Sequence, residues 1–163
     1  MSEIRRINQA ALDLVCYYEG LYLNAYKDSV GVVTIGLGRI RYSDGSLVKM
    51  GDTCTREQAQ GWLQEDLEED GGQYVRKWCK PKLTDNQYGA LVSFTFNRGA
   101  GRLKQLVGMP GRIEDNFLKF GWAGKPPKTL LGLQRRRRSE RALYRGEDWE
   151  DYTNWRPTSK DPG

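Results

Sequence analysis

Glu19 and Asp28 are two carboxyl residues whose surroundings pull them in opposite directions. Ile4, Ile7, Ala11, Leu14, Val15 and Tyr18 recur at helical spacing, which predicts a helix over residues 3–19 ending on Glu19. Gly20 follows at once, the residue type that most readily closes a helix. The negative end of the helix dipole disfavours a further negative charge there, so the Glu19 carboxyl tends to keep its proton. Asp28 comes nine positions later, after a strand-like segment carrying Leu21, Leu23 and Ala25. A turn at Ser29-Val30-Gly31 then leads into the β-rich run Val32-Val33-Thr34-Ile35, placing Asp28 near a solvated hairpin tip where a carboxylate stays ionised. A proton donor beside an ionised carboxylate is the pair that cleaves a glycosidic bond: one protonates the leaving oxygen and the other activates water. Thr34, read as lying across the hairpin from Asp28, offers a hydroxyl to help hold that water. Spacing alone is weak, since a Glu and an Asp nine apart are most often solvated surface charges.

Composition narrows the alternatives. The chain has 163 residues and no histidine, which removes Ser–His and Cys–His catalysis and histidine zinc sites. Carboxylates remain as the general acid–base candidates. Three cysteines, an odd number without an export signal, read as free thiols. Cys54 and Cys79 flank an expected long helix, and twenty-five residues at about 1.5 Å each hold them roughly 37 Å apart, beyond disulfide reach. Cys16, one helical turn before Glu19, reads as a buried structural thiol ahead of a redox handle on the active site. Mean hydropathy is −0.73 and no apolar run approaches a membrane span, so a soluble globular protein is expected. Its N-terminal residues lack the features of a signal peptide, which points to the cytoplasm of the cell that makes it. Residues 83–163 carry 15 Lys+Arg against 9 Asp+Glu, whereas residues 1–82 are nearly balanced at 11 against 12. A basic second half suits an anionic polymer.

The full string E-G-L-Y-L-N-A-Y-K-D-S-V-G-V-V-T-I-G-L-G at residues 19–38 resembles the active-site signature of phage-type lysozymes, glycoside hydrolase family 24. The resemblance continues in L-T-D-N-Q-Y-G-A-L-V-S-F-T-F-N-R-G-A-G at 83–101 and G-L-Q-R-R-R-R-S-E-R-A-L-Y at 132–144. It implies a muramidase acting on the β-1,4 bond between N-acetylmuramic acid and N-acetylglucosamine in peptidoglycan. Glu19 would be the acid and Asp28 the base, assisted by Thr34, in a single displacement with inversion. An arginine at the start of the last long helix would pair with Glu19: Arg135 is the first choice and Arg136 the next. Gly38, Ile40, Phe96 and Asn116 are the expected substrate-binding residues, Gly38 through close backbone approach and Phe96 by packing on a sugar ring. Arg39 stands where many family members have histidine, which puts one structural ion pair in question. No metal or organic cofactor is implied. The expected partner is peptidoglycan, with no nucleic acid, no stable membrane insertion and a monomeric state. The enzyme would reach the wall from the host cytoplasm through a phage-encoded membrane hole.

The elements follow from local signals. Residues 21–50 should form a small sheet with a turn at 42–46. Thr55-Arg56-Glu57-Gln58 is a capping box opening a helix through about Cys79, with a kink expected at Gly71-Gly72 and Pro81 ending the segment. The acidic run from Glu65 to Asp70 reads as a solvated face. Thr84-Asp85-Asn86-Gln87 opens a core helix through Phe96. Further helices are expected at 101–106, 113–122 and 131–144, a loop at 123–128, and a disordered extreme C-terminus. The expected architecture is α+β and mostly helical, one two-lobed lysozyme-like domain over residues 1–163. Residues 20–55 form the sheet lobe, 56–79 the connecting helix, and 1–19 with 80–163 the helical lobe. The rival readings are a basic nucleic-acid-binding module and a wall-binding module without catalysis. Aromatic residues are not interleaved with the run Arg135 to Arg138, which counts against the former.

Overall fold

The structure is a computed structural model that describes residues 5–79 and 82–159. The expected helix start at residue 3, the stop at Pro81 and the expected disorder of the last few residues lie outside the described residues.

Helix α1 spans Gln9–Glu19, beginning later than the apolar spacing predicts. Its start is set by Asn8, whose side chain accepts the backbone N–H of Ala11 at 3.1 Å and so satisfies a donor of the first turn. Strands β1 (Tyr22–Lys27) and β2 (Val33–Gly36) form the antiparallel hairpin, with an irregularity between Tyr22 and Tyr26. The turn at 42–46 is present, closed by the Tyr42 N–H to Ser46 carbonyl bond.

Helix α2 (Arg56–Leu67) opens on the expected capping box, with both Thr55–Gln58 bonds formed. It continues through a π-helical turn at Glu68–Gly72 into α3 (Gln73–Trp78). The expected kink thus takes the form of a π turn, and the glycines have a packing reason. A Cβ on Gly71 would lie 3.0 Å from the Val92 carbonyl oxygen, and one on Gly72 would lie 2.6 Å from the Tyr88 hydroxyl. Both neighbours belong to α4 (Asp85–Arg98), which crosses at close range. The acidic run is also more committed than a solvated face: Glu68 pairs with Arg76, and Asp66 with Arg39 at 3.1 Å. The ion pair left in question at Arg39 is therefore made.

Helix α4 opens on its Thr84–Gln87 capping box and buries Tyr88, Leu91, Val92 and Phe94. Helix α5 spans Ala100–Gly108, and α6 (Ile113–Asn116) passes into a 3-10 turn at Phe117–Phe120 in place of one longer helix. Two-residue strands β3 (Trp122–Ala123) and β4 (Lys128–Thr129) bracket the expected loop. Helix α7 (Leu131–Tyr144) and a 3-10 turn at Trp149–Tyr152 complete the chain. One apolar cluster joins α1, α2, α4, α5 and α7 through Leu14, Leu63, Leu91, Leu103 and Leu143. The protein is α+β and mostly helical. Cys16, Cys54 and Cys79 are free thiols, and Cys16 is buried.

Candidate active site

Glu19 occupies the last position of α1, and the Gly20 N–H closes the helix on the Cys16 carbonyl with Gly20 at φ 82°. Its side chain remains 29% exposed and reaches the Arg136 guanidinium, Nη1 donating to Oε1 at 2.6 Å. Arg136 comes from α7 and is only 4% exposed, so the pair joins a solvent-facing carboxyl to a buried cation. The first choice from sequence, Arg135, is corrected. Its Nε donates to the Trp155 carbonyl at 2.9 Å, which turns it toward the C-terminal segment. The helical phase explains the difference: Arg136 shares its face with Glu140 and Leu143, one and two turns on, both buried. None of the four arginines forms an open basic face. Arg136, Arg137 and Arg138 are buried, and Arg138 stacks 3.4 Å above the Trp155 ring.

Asp28 ends β1, and the loop that follows folds back on it. Its Oδ1 accepts the Val30 and Val32 N–H groups, each at 2.9 Å. Those bonds fix the carboxylate's orientation and leave Oδ2 without a protein donor among the described residues. The hairpin register corrects one expectation. Thr34 pairs with Tyr26, while Asp28 faces Val32 through its backbone N–H. Because side chains alternate along a strand, Thr34 and Asp28 still share one face, displaced diagonally. Thr34 is buried, and its hydroxyl donates to the Val32 carbonyl at 3.0 Å, leaving lone pairs to accept from a water.

Three of the expected substrate-binding residues are accessible. Gly38 is exposed at φ 99°, in a tight loop closed by reciprocal Ile35–Arg39 backbone bonds. Ile40 is 46% exposed, and Phe96 is half-buried against the core. Asn116 is the exception. It is 1% exposed, its Nδ2 donates to the Leu106 and Met109 carbonyls, and its Oδ1 accepts from Lys119. An amide so committed ties α5 to α6 rather than facing solvent.

Behind Arg136 lies a layer that the sequence reading missed. Glu140 is fully buried between Arg136 and Arg137 and accepts the Ser93 hydroxyl at 2.8 Å. Arg137 also reaches the Asn97 side chain at 2.8 Å and lies over the Phe94 ring. Burial pulls the Arg137 guanidinium down to about 10, still protonated at neutral pH. The available signal was Glu140 falling four residues after Arg136 on one helix. Also missed was the Tyr22–Tyr26 stack, with ring centroids 4.2 Å apart along β1. A separate cavity of about 540 Å³, lined by Arg5, Trp62, Leu67 and Tyr88 among others, contains none of these groups. No cluster of metal-ligating side chains occurs among the described residues.

The sequence and the overall fold match those of known proteins. The family model for phage lysozyme matches residues 17–140. The endolysin of Salmonella phage P22 is 42% identical over 135 residues, covering 77% of this chain and 88% of the relative. The endolysin of Acyrthosiphon pisum secondary endosymbiont phage 1 is 35% identical, covering 85% of this chain and 97% of the relative. Among solved structures, a P22 lysozyme mutant superposes with a TM-score of 0.72 at 35% identity, covering 86% of this chain and 98% of that one. The muramidase domain of SpmX from Asticaccaulis excentricus gives 0.65 at 27% identity, covering 85% and 96%. The chain belongs to the phage lysozyme family and is a glycoside hydrolase of that type.

Proposed function

We propose that the protein is an endolysin that hydrolyses the β-1,4 bond between N-acetylmuramic acid and N-acetylglucosamine in bacterial peptidoglycan, with inversion. The observation that carries this reading is the pairing of Glu19 with Arg136 beside a hairpin that clamps only one oxygen of Asp28. Glu19 gives its proton to the leaving glycosidic oxygen as the C–O bond breaks. Asp28 takes a proton from a water that attacks the sugar from the opposite face, using the oxygen its loop leaves open. Thr34 accepts a hydrogen bond from that water. Arg136 stabilises the carboxylate that Glu19 becomes when its proton has left. Inversion needs room for the water, which calls for carboxyl groups about 6.5–9.5 Å apart.

In this reading residues 20–55 and the helical lobe flank the substrate cleft, and residues 56–79 connect them. The enzyme acts as a monomer, is made in the host cytoplasm, and reaches the wall through a phage-encoded membrane hole. Among the described residues no helix is long and apolar enough to cross a membrane. The burial of Arg136 to Arg138 supports a wall substrate over nucleic acid, because the densest basic run of the sequence offers little to a phosphate backbone.

The test is release of reducing sugar from purified peptidoglycan by this protein and by its Glu19→Gln variant, with the product anomer read by NMR. Activity should fall by about 10²–10⁴ in the variant, with folding intact. Equal activity in both would remove Glu19 from the chemistry. Retained binding without sugar release from either would leave a silent wall-binding module.

A further inference from the structure

We propose that Glu140 is a positioning residue that governs how much of the Arg136 charge Glu19 feels, and so sets the pH range over which Glu19 serves as the acid. The inference rests on Glu19 being the proton donor. Its basis is the way one cation is shared. Arg136 directs Nη1 to Glu19 Oε1 at 2.6 Å and Nε to Glu140 Oε1 at 3.2 Å, while Nη2 lies 3.3 Å from the Ser93 hydroxyl. A single guanidinium therefore bridges one partly exposed carboxyl and one fully buried carboxyl.

An isolated buried carboxylate would be strongly disfavoured, and this one is compensated from several sides. Arg137 Nη2 donates to Oε1 at 3.0 Å, and Arg137 Nε approaches Oε2 at 2.7 Å in an alignment too poor for a hydrogen bond. The Ser93 hydroxyl from α4 donates to Oε1. Arg98 from α4 lies within the electrostatic reach of Glu140, as does the Tyr18 hydroxyl from α1, which is pushed up to about 12 mainly by burial. Arg137 satisfies the charge of Glu140, and Glu140 in turn offsets part of the charge that Arg136 presents to Glu19.

The sign of the effect follows. With Glu140 neutralised, the Arg136 cation acts on Glu19 with less offset, favouring the carboxylate over the acid. A general acid that loses its proton at lower pH leaves the enzyme active over a narrower range. The alkaline limb of the pH–activity profile should then move down.

Peptidoglycan hydrolysis by Glu140→Gln across pH 4 to 9 tests this, with thermal melts alongside. The expected result is an alkaline limb of kcat/KM displaced to lower pH by roughly one unit, with maximal kcat reduced by less than in Glu19→Gln. Ser93→Ala, which changes no charge, should lower kcat without moving that limb. If Glu140→Gln does not fold because the Arg137 charge loses its carboxylate, Glu140→Asp keeps that charge while shortening its reach to Arg136, and should displace the limb in the same direction by a smaller amount. An unmoved limb in the folded variant overturns the proposal. Full activity in Glu19→Gln would instead overturn the reading of the acid, and the two failures are distinguishable in the same assay.

Discussion

The Thr34 hydroxyl donates to the Val32 carbonyl at 3.0 Å, two residues back along the same strand. Val32 also donates its N–H to Asp28 Oδ1 and accepts the Asp28 N–H, so a single residue holds both of the groups proposed to order water. Thr34→Val keeps the shape of this buried side chain and deletes only the hydroxyl. The cost to stability should be about 0.5–1.5 kcal/mol, that of one internal hydrogen bond. The kcat should fall roughly ten- to a hundredfold through misplacement of the water, with KM little changed. Steady-state kinetics with thermal melts check this; an unchanged kcat would take Thr34 out of the chemistry.

Glycines in the α2–π turn–α3 segment should respond to alanine with opposite signs. Gly61 lies inside α2 with open space where a Cβ would point, so Gly61→Ala should stabilise by about 0.5–1 kcal/mol. At Gly71 the same substitution presses on the Val92 carbonyl oxygen at 3.0 Å and Cγ1 at 3.1 Å, and backbone cannot step aside cheaply. Gly71→Ala should destabilise by about 1–3 kcal/mol despite its better helix propensity. Urea denaturation of the two variants gives the comparison. Equal gains would mean that α4 does not crowd the π turn.

Much of this fold was legible because its signals are local. Both capping boxes, at Thr55 and Thr84, are formed as their spacing predicts, since four residues suffice to define them. Glu19 at a helix end and Asp28 at a hairpin tip were legible for the same reason. What could not be read depends on register or on distant packing. The position of Thr34 opposite Tyr26 and not Asp28 is a two-residue difference in pairing, which keeps both side chains on one face and so leaves the alternation of the sequence unchanged. Choosing between Arg135 and Arg136 required knowing where Trp155 and Glu19 lie, 20 and 117 residues away from their respective partners. Asn116 has the residue type of a ligand, and only the neighbouring α5 carbonyl shows its amide to be committed inward.

Stability should fall on the alkaline side. Burial pushes the Cys79 thiol up to about 11 from its ordinary 9.0, and the Tyr18 hydroxyl up to about 12 from 10.0. The folded protein thus holds protons that the unfolded chain releases at lower pH. Each contribution is fully present below the unfolded value and is lost as pH rises through the folded one, so the melting temperature should drop between about pH 9 and pH 12. Tyr18→Phe, which has no proton to lose, should show a shallower drop. Native Cys79 should also react with a thiol reagent at pH 8 roughly a hundredfold more slowly than in the unfolded chain. Equal rates would place that thiol in solvent.

Arg135 and Arg136, adjacent in sequence, should separate activity from stability. Arg136 holds Glu19, and its planar fork also reaches Glu140 and Ser93, a geometry that lysine cannot reproduce. Arg136→Lys should keep a positive charge yet lower kcat by roughly ten- to a hundredfold, because the cation no longer meets Glu19 at the same point. Arg135 instead fastens Trp155 by its carbonyl, beside a ring already covered by Arg138. Arg135→Ala should leave kcat within about twofold while costing about 0.5–1.5 kcal/mol as the C-terminal segment loses that bond. Sugar release and thermal melts on both variants decide the matter. A large loss of kcat in Arg135→Ala, with Arg136→Lys near normal, would return the Glu19 partnership to the residue that sequence alone favoured.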